Sequence, residues 1–306
     1  HPDVILLTAP PLPVSVPAAL LAWIHRTPVV LNLQDILPEA AVHVGLLQNP
    51  KLIRIFEVLE KFAYRTATKI SVIADGFVDN LLNKGVPKDK IEQIPNWVDV
   101  NFIRPLPKEN NKFRATHQLS DKFVVLYSGN IALTQGLETV ISAAVQLLHI
   151  PDIAIVIVGE ENALERLQQY RDTCKATNVT LLPLQPRAKL PEMLAAADIG
   201  LVVQKSNVIS FNMPSKIPLL LASGRAIVAS VPATGTAARA IQQSSGGIII
   251  PPEDPAALAA TIEELYYNPD KVKQLGEKSR QYAMENYSFE QALDRYEKLF
   301  AAIQKH

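Results

Sequence analysis

The feature that most constrains this chain is a rhythm. Short runs of aliphatic and β-branched residues alternate with segments of helical period along nearly its whole length. In the larger, later part, runs at 123–127, 154–158, 179–182, 199–203, 226–229 and 247–250 read as strands. Helical patterns over 136–149, 161–176, 189–197, 215–223, 235–243 and 255–267 separate them. A strand that is apolar along its length is buried on both faces, so these strands predict a parallel sheet with helices on either side. Repeated βα units of this kind make a doubly wound open sheet.

The earlier part repeats the pattern on a smaller scale. Strands are expected at Val4–Leu7, Val29–Leu33, Ile70–Ile73 and Glu92–Ile94, and helices at Pro17–Ile24, Leu52–Thr66 and Gly76–Lys84. Within the second helix, Leu52, Ile55, Phe56, Leu59 and Phe62 share one face at i, i+3, i+4, i+7 spacing. The segment 96–112, NWVDVNFIRPLPKENNK, has two prolines and no period and reads as a linker. The tail 271–306 is amphipathic and helical, with a break at Tyr287–Ser288. The expected fold class is therefore α/β with two Rossmann-like domains: 1–98, 99–287, and a last helix, 288–306, that crosses back to the first. The opening HPDVILLTAPP reads as the approach to a buried strand with no secretory leader. We expect a fragment, with the N-terminal domain incomplete in this chain. Ligands of such sheets bind at the carboxyl ends of the strands, so the cleft between two such domains is the default site.

Composition narrows the function classes. Of 306 residues, 48% are hydrophobic and 20% charged, which suits packed domains rather than disorder. Thirty Lys and Arg balance thirty Asp and Glu, which argues against a nucleic-acid binder. The single cysteine, Cys174, excludes an internal disulfide and a cysteine-rich zinc site. No apolar run is long enough for a membrane span, the nearest being VSVPAALLAWI (14–24), which carries Pro17. Residues 12–26 and the basic residues Lys51, Arg54, Lys61 and Arg65 read either as core and solvated faces or as a peripheral membrane contact. The chain has no Walker A loop, no G-x-G-x-x-G, no HExxH, no G-x-S-x-G and no Asp-x-Asp pair. His1, His25, His43, His117, His149 and His306 form no metal-ligand spacing, and no metal site is expected.

Two stretches carry chemistry. In VVLYSGNIALTQGLETVISAA (124–144) a strand ends in Ser128–Gly129–Asn130, and Gly136 is expected to open a helix. A strand, tight turn and helix start expose backbone N–H groups to an anion such as a phosphate, although an ordinary βα turn uses glycines in the same way. In NMPSKIPLLLASGRAIVAS (212–230) Ser215 is a plausible N-cap and Lys216 falls in the first turn. A cation there opposes the helix dipole, so a bound anion explains Lys216 better than helix stability does. Lys205, just past the strand at 199–203, adds a second cation at the same sheet edge.

In order along the chain, these pieces resemble a glycosyltransferase of the GT-B fold, family 4, in its exopolysaccharide and colanic-acid-type subset. The resemblance runs through LNLQDILPEAAVHVGLL (31–47), IPNWVDVNFIRP (94–105), GNIALTQGLETVISAA (129–144), LPEMLAAADIGLVV (190–203), PSKIPLLLASGRAIVAS (214–230) and GGIIIPPEDPAALAATI (246–262). It implies a metal-independent, retaining hexosyltransferase with no cofactor. Such an enzyme takes a nucleotide diphosphate sugar, UDP- or GDP-linked, held by the second domain. The first domain would hold a saccharide or lipid-linked saccharide acceptor. The location implied is cytoplasmic, at the inner face of the membrane or free of it, with no nucleic-acid partner.

The resemblance also assigns residues. Gly129, Asn130, Gln135 and Gly136 would face the diphosphate, and Arg187 would mark the base-binding edge. Asn212, Met213, Ser215 and Lys216 would lie under the donor sugar and phosphates, with Lys205 supplying further positive charge for substrate binding, and Asp35 would be catalytic. Several family positions differ here. The basic residues common in the glycine turn are replaced at Asn130 and Gln135. A glutamate pair falls at Leu219 and near Phe211, and a histidine is replaced by Gln34. Those losses keep two other readings open: a non-catalytic nucleotide-binding module, and a nucleotide-sugar epimerase.

Overall fold

The structure is a computed structural model that describes residues 2–132 and 134–304. Of the positions named above, His1, His306 and Leu133 of the glycine-turn stretch lie outside the described residues. Residue contacts divide the chain into two compact units, His1–Asn96 with Glu290–His306, and Trp97–Phe289.

Unit 1 runs β1 (Ile5–Ala9), α1 (Ser15–His25), β2 (Val29–Leu33), α2 (Glu39–His43), α3 (Pro50–Thr66), β3 (Lys69–Val72), α4 (Asp75–Asn83) and β4 (Ile91–Gln93). Unit 2 contains α5 (Lys112–Thr116), β5 (Phe123–Ser128), α6 (Glu138–Gln146), β6 (Ile153–Gly159), α7 (Glu161–Cys174), β7 (Val179–Pro183) and α8 (Leu190–Ala196). It continues through β8 (Ile199–Val203), α9 (Lys216–Ala222), β9 (Ala226–Ser230), α10 (Thr236–Ser244), β10 (Gly247–Ile250), α11 (Pro255–Tyr266) and α12 (Pro269–Asn286). The last helix, α13 (Phe289–Gln304), belongs to unit 1 from Glu290 onward.

In unit 1 the four strands form a parallel sheet in the order β1-β2-β3-β4. α13 packs on it, with Leu299 and Ile303 against Val30 and Ile94. The apolar stripe read on α3 is not its buried face: Leu52 and Ile55 are 45% and 53% exposed. The helix is rotated to bury Glu60, Ala63 and Tyr64 instead. Glu60 takes a hydrogen bond from the Tyr64 hydroxyl (2.8 Å) and pairs with Lys84, which also reaches Glu39 at 3.0 Å. A buried carboxylate needs such partners, and supplying them fixes the roll of the helix. Burial nevertheless pushes the Glu60 carboxyl above its ordinary value.

In unit 2 all six strands are parallel, in the order β10-β9-β8-β5-β6-β7. The chain moves outward from β5 through β6 to β7, returns to β8 on β5's other side, and proceeds through β9 to β10. The order therefore reverses between β5 and β8, which is where open α/β sheets hold their ligands. The segment read as a linker is pinned to unit 2. Arg280 donates to the carbonyls of Val100 and Ile103, both at 3.0 Å, and Arg225 donates to that of Leu106 at 3.2 Å.

The opposite end of the sheet is closed by Asp198, 7% exposed. Its Oδ2 accepts from the Arg114 guanidinium at 2.6 Å and from the Val124 backbone N–H at 2.8 Å, and its Oδ1 pairs with Lys108. Asp198→Asn keeps the shape and removes the charge that Arg114 faces. We expect it to destabilise unit 2 by about 2 kcal/mol, the worth of a hydrogen bond to a charged group. A denaturant titration that finds no loss would show the pair to be dispensable.

Candidate functional site

The site is built where β5 ends. Gly129 follows Ser128 with φ +133°, a backbone shape that side chains rarely adopt. Its N–H donates to the Val158 carbonyl at 3.0 Å, which ties the turn to the end of β6. A Cβ at this position would lie in ordinary contact, 3.5 Å, with both Cε and Nζ of Lys216, so it is the backbone shape that calls for glycine. Lys216, the first residue of α9, thus comes up beneath the turn.

The Lys216 Nζ is fully buried and has no hydrogen-bond partner among the described residues. It lies 3.3 Å from the centroid of the Tyr127 ring. Tyr127 is itself wholly buried, and its hydroxyl donates to the Asn130 carbonyl at 2.6 Å and to Gln135 Oε1 at 3.3 Å. Burial pushes the Lys216 ammonium down to about 7, with no carboxylate nearby to hold the charge. The same burial pushes the Tyr127 phenol up.

Lys205 is arranged differently. Gly136, at φ +62°, leaves room for its stem, since a Cβ there would be 3.1 Å from Lys205 Cγ. The Lys205 N–H donates to the Thr134 carbonyl at 2.9 Å, joining the loop after β8 to the loop after β5. Glu253 accepts from the N–H (2.9 Å) and hydroxyl of the neighbouring Ser206, and the charge of Lys205 is among the causes that hold its carboxyl low. Lys205 thus has an acid near it, whereas Lys216 has none.

The other predicted residues fall as follows. Asn130 and Gln135 hold the glycine turn through Tyr127. Asn212 is exposed, and its Oδ1 accepts from the buried Gln204 at 2.8 Å. Met213 packs on the core cluster beside Leu219. Ser215 occupies the N-cap position of α9, but its side chain makes no cap bond and its backbone is already helical. The helix read as opening at Gly136 begins at Glu138, because the positive φ of Gly136 cannot belong to it. The exposed Arg187 lies past β7 with its guanidinium 5.9 Å from the Phe102 ring centroid. Asp35 belongs to unit 1, just past β2, where its Oδ1 accepts from the Ile36 N–H at 2.8 Å. Beside it, Asn96 donates to Gln34 at 2.7 Å and Gln34 to Asn32 at 2.9 Å.

Sequence reasoning missed two residues, Tyr127 and Gly159. Gly159 closes β6, and a Cβ on it would come within 2.1 Å of Ile131 Cδ1. Ile131 can tuck against the sheet only because position 159 is empty of side chain, and that seat holds the turn over Lys216. We expect Gly159→Ala to displace the turn and to lower both thermal stability and nucleotide affinity. A thermal melt together with a UDP titration reads both. Affinity equal to wild type would show that the turn does not depend on this seat.

The profile of the glycosyl transferases group 1 family matches residues 108–282, more than half of the chain. The chain belongs to this family. A second profile, the glycosyl transferase 4-like domain, matches residues 1–97. Among relatives of this glycosyl transferase group 1 member, WcaI of Escherichia coli (strain K12), provisionally named a colanic acid biosynthesis glycosyl transferase, is 29% identical over 274 residues, covering 88% of this chain and 67% of its own. WbjE of Pseudomonas aeruginosa, also provisionally named a glycosyltransferase, is 26% identical over 268 residues, covering 87% and 66%. The chain thus spans about two thirds of the length of these relatives. The crystal structure of Anabaena Alr3699/HepE in complex with UDP superposes with a TM-score of 0.80 at 20% identity, over 99% of this chain and 79% of that one. The same protein with UDP-glucose gives 0.76 at 21% identity, over 97% and 78%. These likenesses show the GT-B fold, with Rossmann-like domains. No helix among the described residues is long and apolar enough to cross a membrane.

Proposed function

We propose that the group 1 fold here serves a retaining hexosyl transfer from a nucleotide diphosphate sugar to a saccharide or lipid-linked saccharide acceptor. One observation carries the reading: a lysine whose buried Nζ has no hydrogen-bond partner among the described residues and faces a glycine turn at the switch point of the sheet. The leaving group of such a transfer is a diphosphate that gains charge as the bond between it and the sugar's C1 breaks. A preorganised cation in a water-poor site stabilises that charge without reorganising. In this reading Lys216 supplies that cation, and Lys205 and the turn residues Gly129, Asn130, Gln135 and Gly136 complete the cradle. This chemistry uses side chains and N–H groups in place of a metal.

Asp35 is proposed to act on the acceptor side. The acceptor hydroxyl supplies the electron pair for the new bond to C1, the departing diphosphate takes the old pair, and the hydroxyl proton leaves to the diphosphate oxygen or to Asp35. Asp35→Asn is expected to lower turnover in the intact enzyme while leaving UDP affinity of the chain unchanged. Loss of UDP affinity in that variant would move Asp35 out of this role. Titration with UDP and GDP by calorimetry tests the donor reading directly. Product analysis with a nucleotide sugar separates transfer from epimerisation and from an inert binding module.

The outward surface of unit 1 supports a membrane-side acceptor. α3 presents exposed Lys51, Arg54, Lys61 and Arg65 beside exposed Leu52, Ile55 and Val58, and α1 exposes Leu20, Leu21, Trp23 and Ile24. Basic and apolar residues on one face suit an anionic lipid surface. Co-sedimentation with anionic vesicles should occur at low salt and weaken at high salt, and binding to neutral vesicles alone would contradict the electrostatic part.

A further inference from the structure

The geometry points to Tyr127 as a positioning residue of the donor site: its ring face is the seat on which the Lys216 ammonium waits, aimed at the glycine turn, for the diphosphate. The inference rests on the reading of that turn as the diphosphate site and names the group that makes Lys216 ready for it.

An ammonium stripped of water normally finds a carboxylate or several carbonyls. Lys216 finds neither among the described residues. The Tyr127 ring takes their place, with Nζ 3.3 Å from its centroid. The face of an aromatic ring is electron-rich and attracts a cation, more strongly where water is excluded. It satisfies the charge without neutralising it, so the lysine keeps its full attraction for an anion. An aspartate in that position would hold Lys216 more firmly and would also repel the diphosphate. The hydroxyl end of the same residue donates to the Asn130 carbonyl and to Gln135, so Tyr127 fixes the turn and the lysine together. Tyr127 in turn is held in place as the last buried position of β5, in register with Ile157 of β6 and one residue past the Leu126–Gly200 pair that joins β5 to β8.

The arrangement also sets when the lysine carries its charge. Among the described residues, the Tyr127 ring from β5 and the Gly129 position of the turn approach Nζ. Neither is charged at neutral pH. Lys205 approaches the other end of the turn, at Gly136. Desolvation therefore pulls Lys216 towards neutrality, and the ring face acts in the opposite direction.

The test varies the ring face and keeps its shape. Position 127 is replaced by phenylalanine and, through site-specific incorporation, by pentafluorophenylalanine, whose face is electron-poor. UDP is titrated by calorimetry across the pH range, with circular dichroism as a check on folding. Phenylalanine should keep the pH at which affinity begins to fall. The fluorinated ring should move that break to lower pH and weaken UDP about five- to thirtyfold at pH 7, the range of a desolvated cation–π contact. Equal break points and equal affinities in the two variants would reduce Tyr127 to a space-filling residue and overturn the inference. Lys216→Met, run alongside, separates the two claims. If it leaves UDP affinity unchanged, the diphosphate reading itself fails. If it weakens UDP while the two ring variants match, only the role of Tyr127 fails.

Discussion

Lys216→Met is expected to weaken UDP binding by about ten- to hundredfold, with the fold intact. A charge-assisted hydrogen bond is worth about 1.5–3 kcal/mol, and each 1.4 kcal/mol is a factor of ten in affinity. Methionine keeps the length of the stem and its contact with the Tyr127 ring, so packing is preserved. Removing a desolvated charge that has no counter-charge in the empty site leaves no orphan behind, which is why stability should hold or rise. Lys216→Arg is not a conservative rescue. The guanidinium is broad and planar, while Nζ sits 3.3 Å from the Tyr127 ring centroid on one side and next to the Gly129 turn on the other. Calorimetric titration of the three proteins with UDP decides the matter, and unaltered affinity in the methionine variant would place the diphosphate elsewhere. Salt gives a second readout. The remaining cation, Lys205, stands near an exposed carboxylate, so the methionine variant should bind UDP through weaker, more strongly screened attraction.

Much of this arrangement was legible in the sequence because it is written in periodicity. Fully apolar strands such as 199–203 and 226–229 fall where β8 and β9 are, since a strand buried on both faces has no polar position to confuse the pattern. The convergence of Gly129 and Lys216 was legible for a related reason: each follows a strand on the same edge, and parallel strands deliver their loops to one end. What was hidden depended on partners far apart in the chain. The roll of α3 is set by Glu60 meeting Lys84 and Tyr64, and no local period can announce that an acid will be buried in place of Leu52 and Ile55. Tyr127 reads as one more strand residue until its ring is seen beneath Nζ. Gly159 looked like the end of a strand, and only Ile131, from another strand's loop, shows why no side chain fits there. The family resemblance marked LPEMLAAADIGLVV as a strand–helix signature, and α8 and β8 lie there, but the partners of its aspartate, Asp198, which are Arg114, Lys108 and the Val124 N–H, come from distant parts of the chain.

UDP affinity should also depend on pH in a direction fixed by Lys216. In the empty site burial pushes its ammonium down to about 7, whereas a bound diphosphate stabilises the charged form and raises that value. Below about pH 7 the lysine is already charged and binding takes up no proton. Well above it, each unit of pH removes the charged form tenfold, so affinity should fall about fiftyfold between pH 7, where half the lysine is charged, and pH 9, for as long as the bound complex keeps its proton. Calorimetry in buffers of different ionisation enthalpy should then register uptake of close to one proton on binding near pH 8, and none in Lys216→Met. The ligand-free protein offers an independent check of sign. Between about 7 and the ordinary lysine value of 10.5, the unfolded chain holds a proton that the folded site has released. Stability attributable to this residue therefore rises with pH across that window and is flat on either side of it. Comparing wild type with Lys216→Met by denaturant titration at pH 7 and pH 9 isolates the effect, because the other ionisable groups are common to both. Flat UDP affinity across the range, joined to an unchanged stability difference, would mean that the amine keeps its proton in the empty site and that water reaches it there.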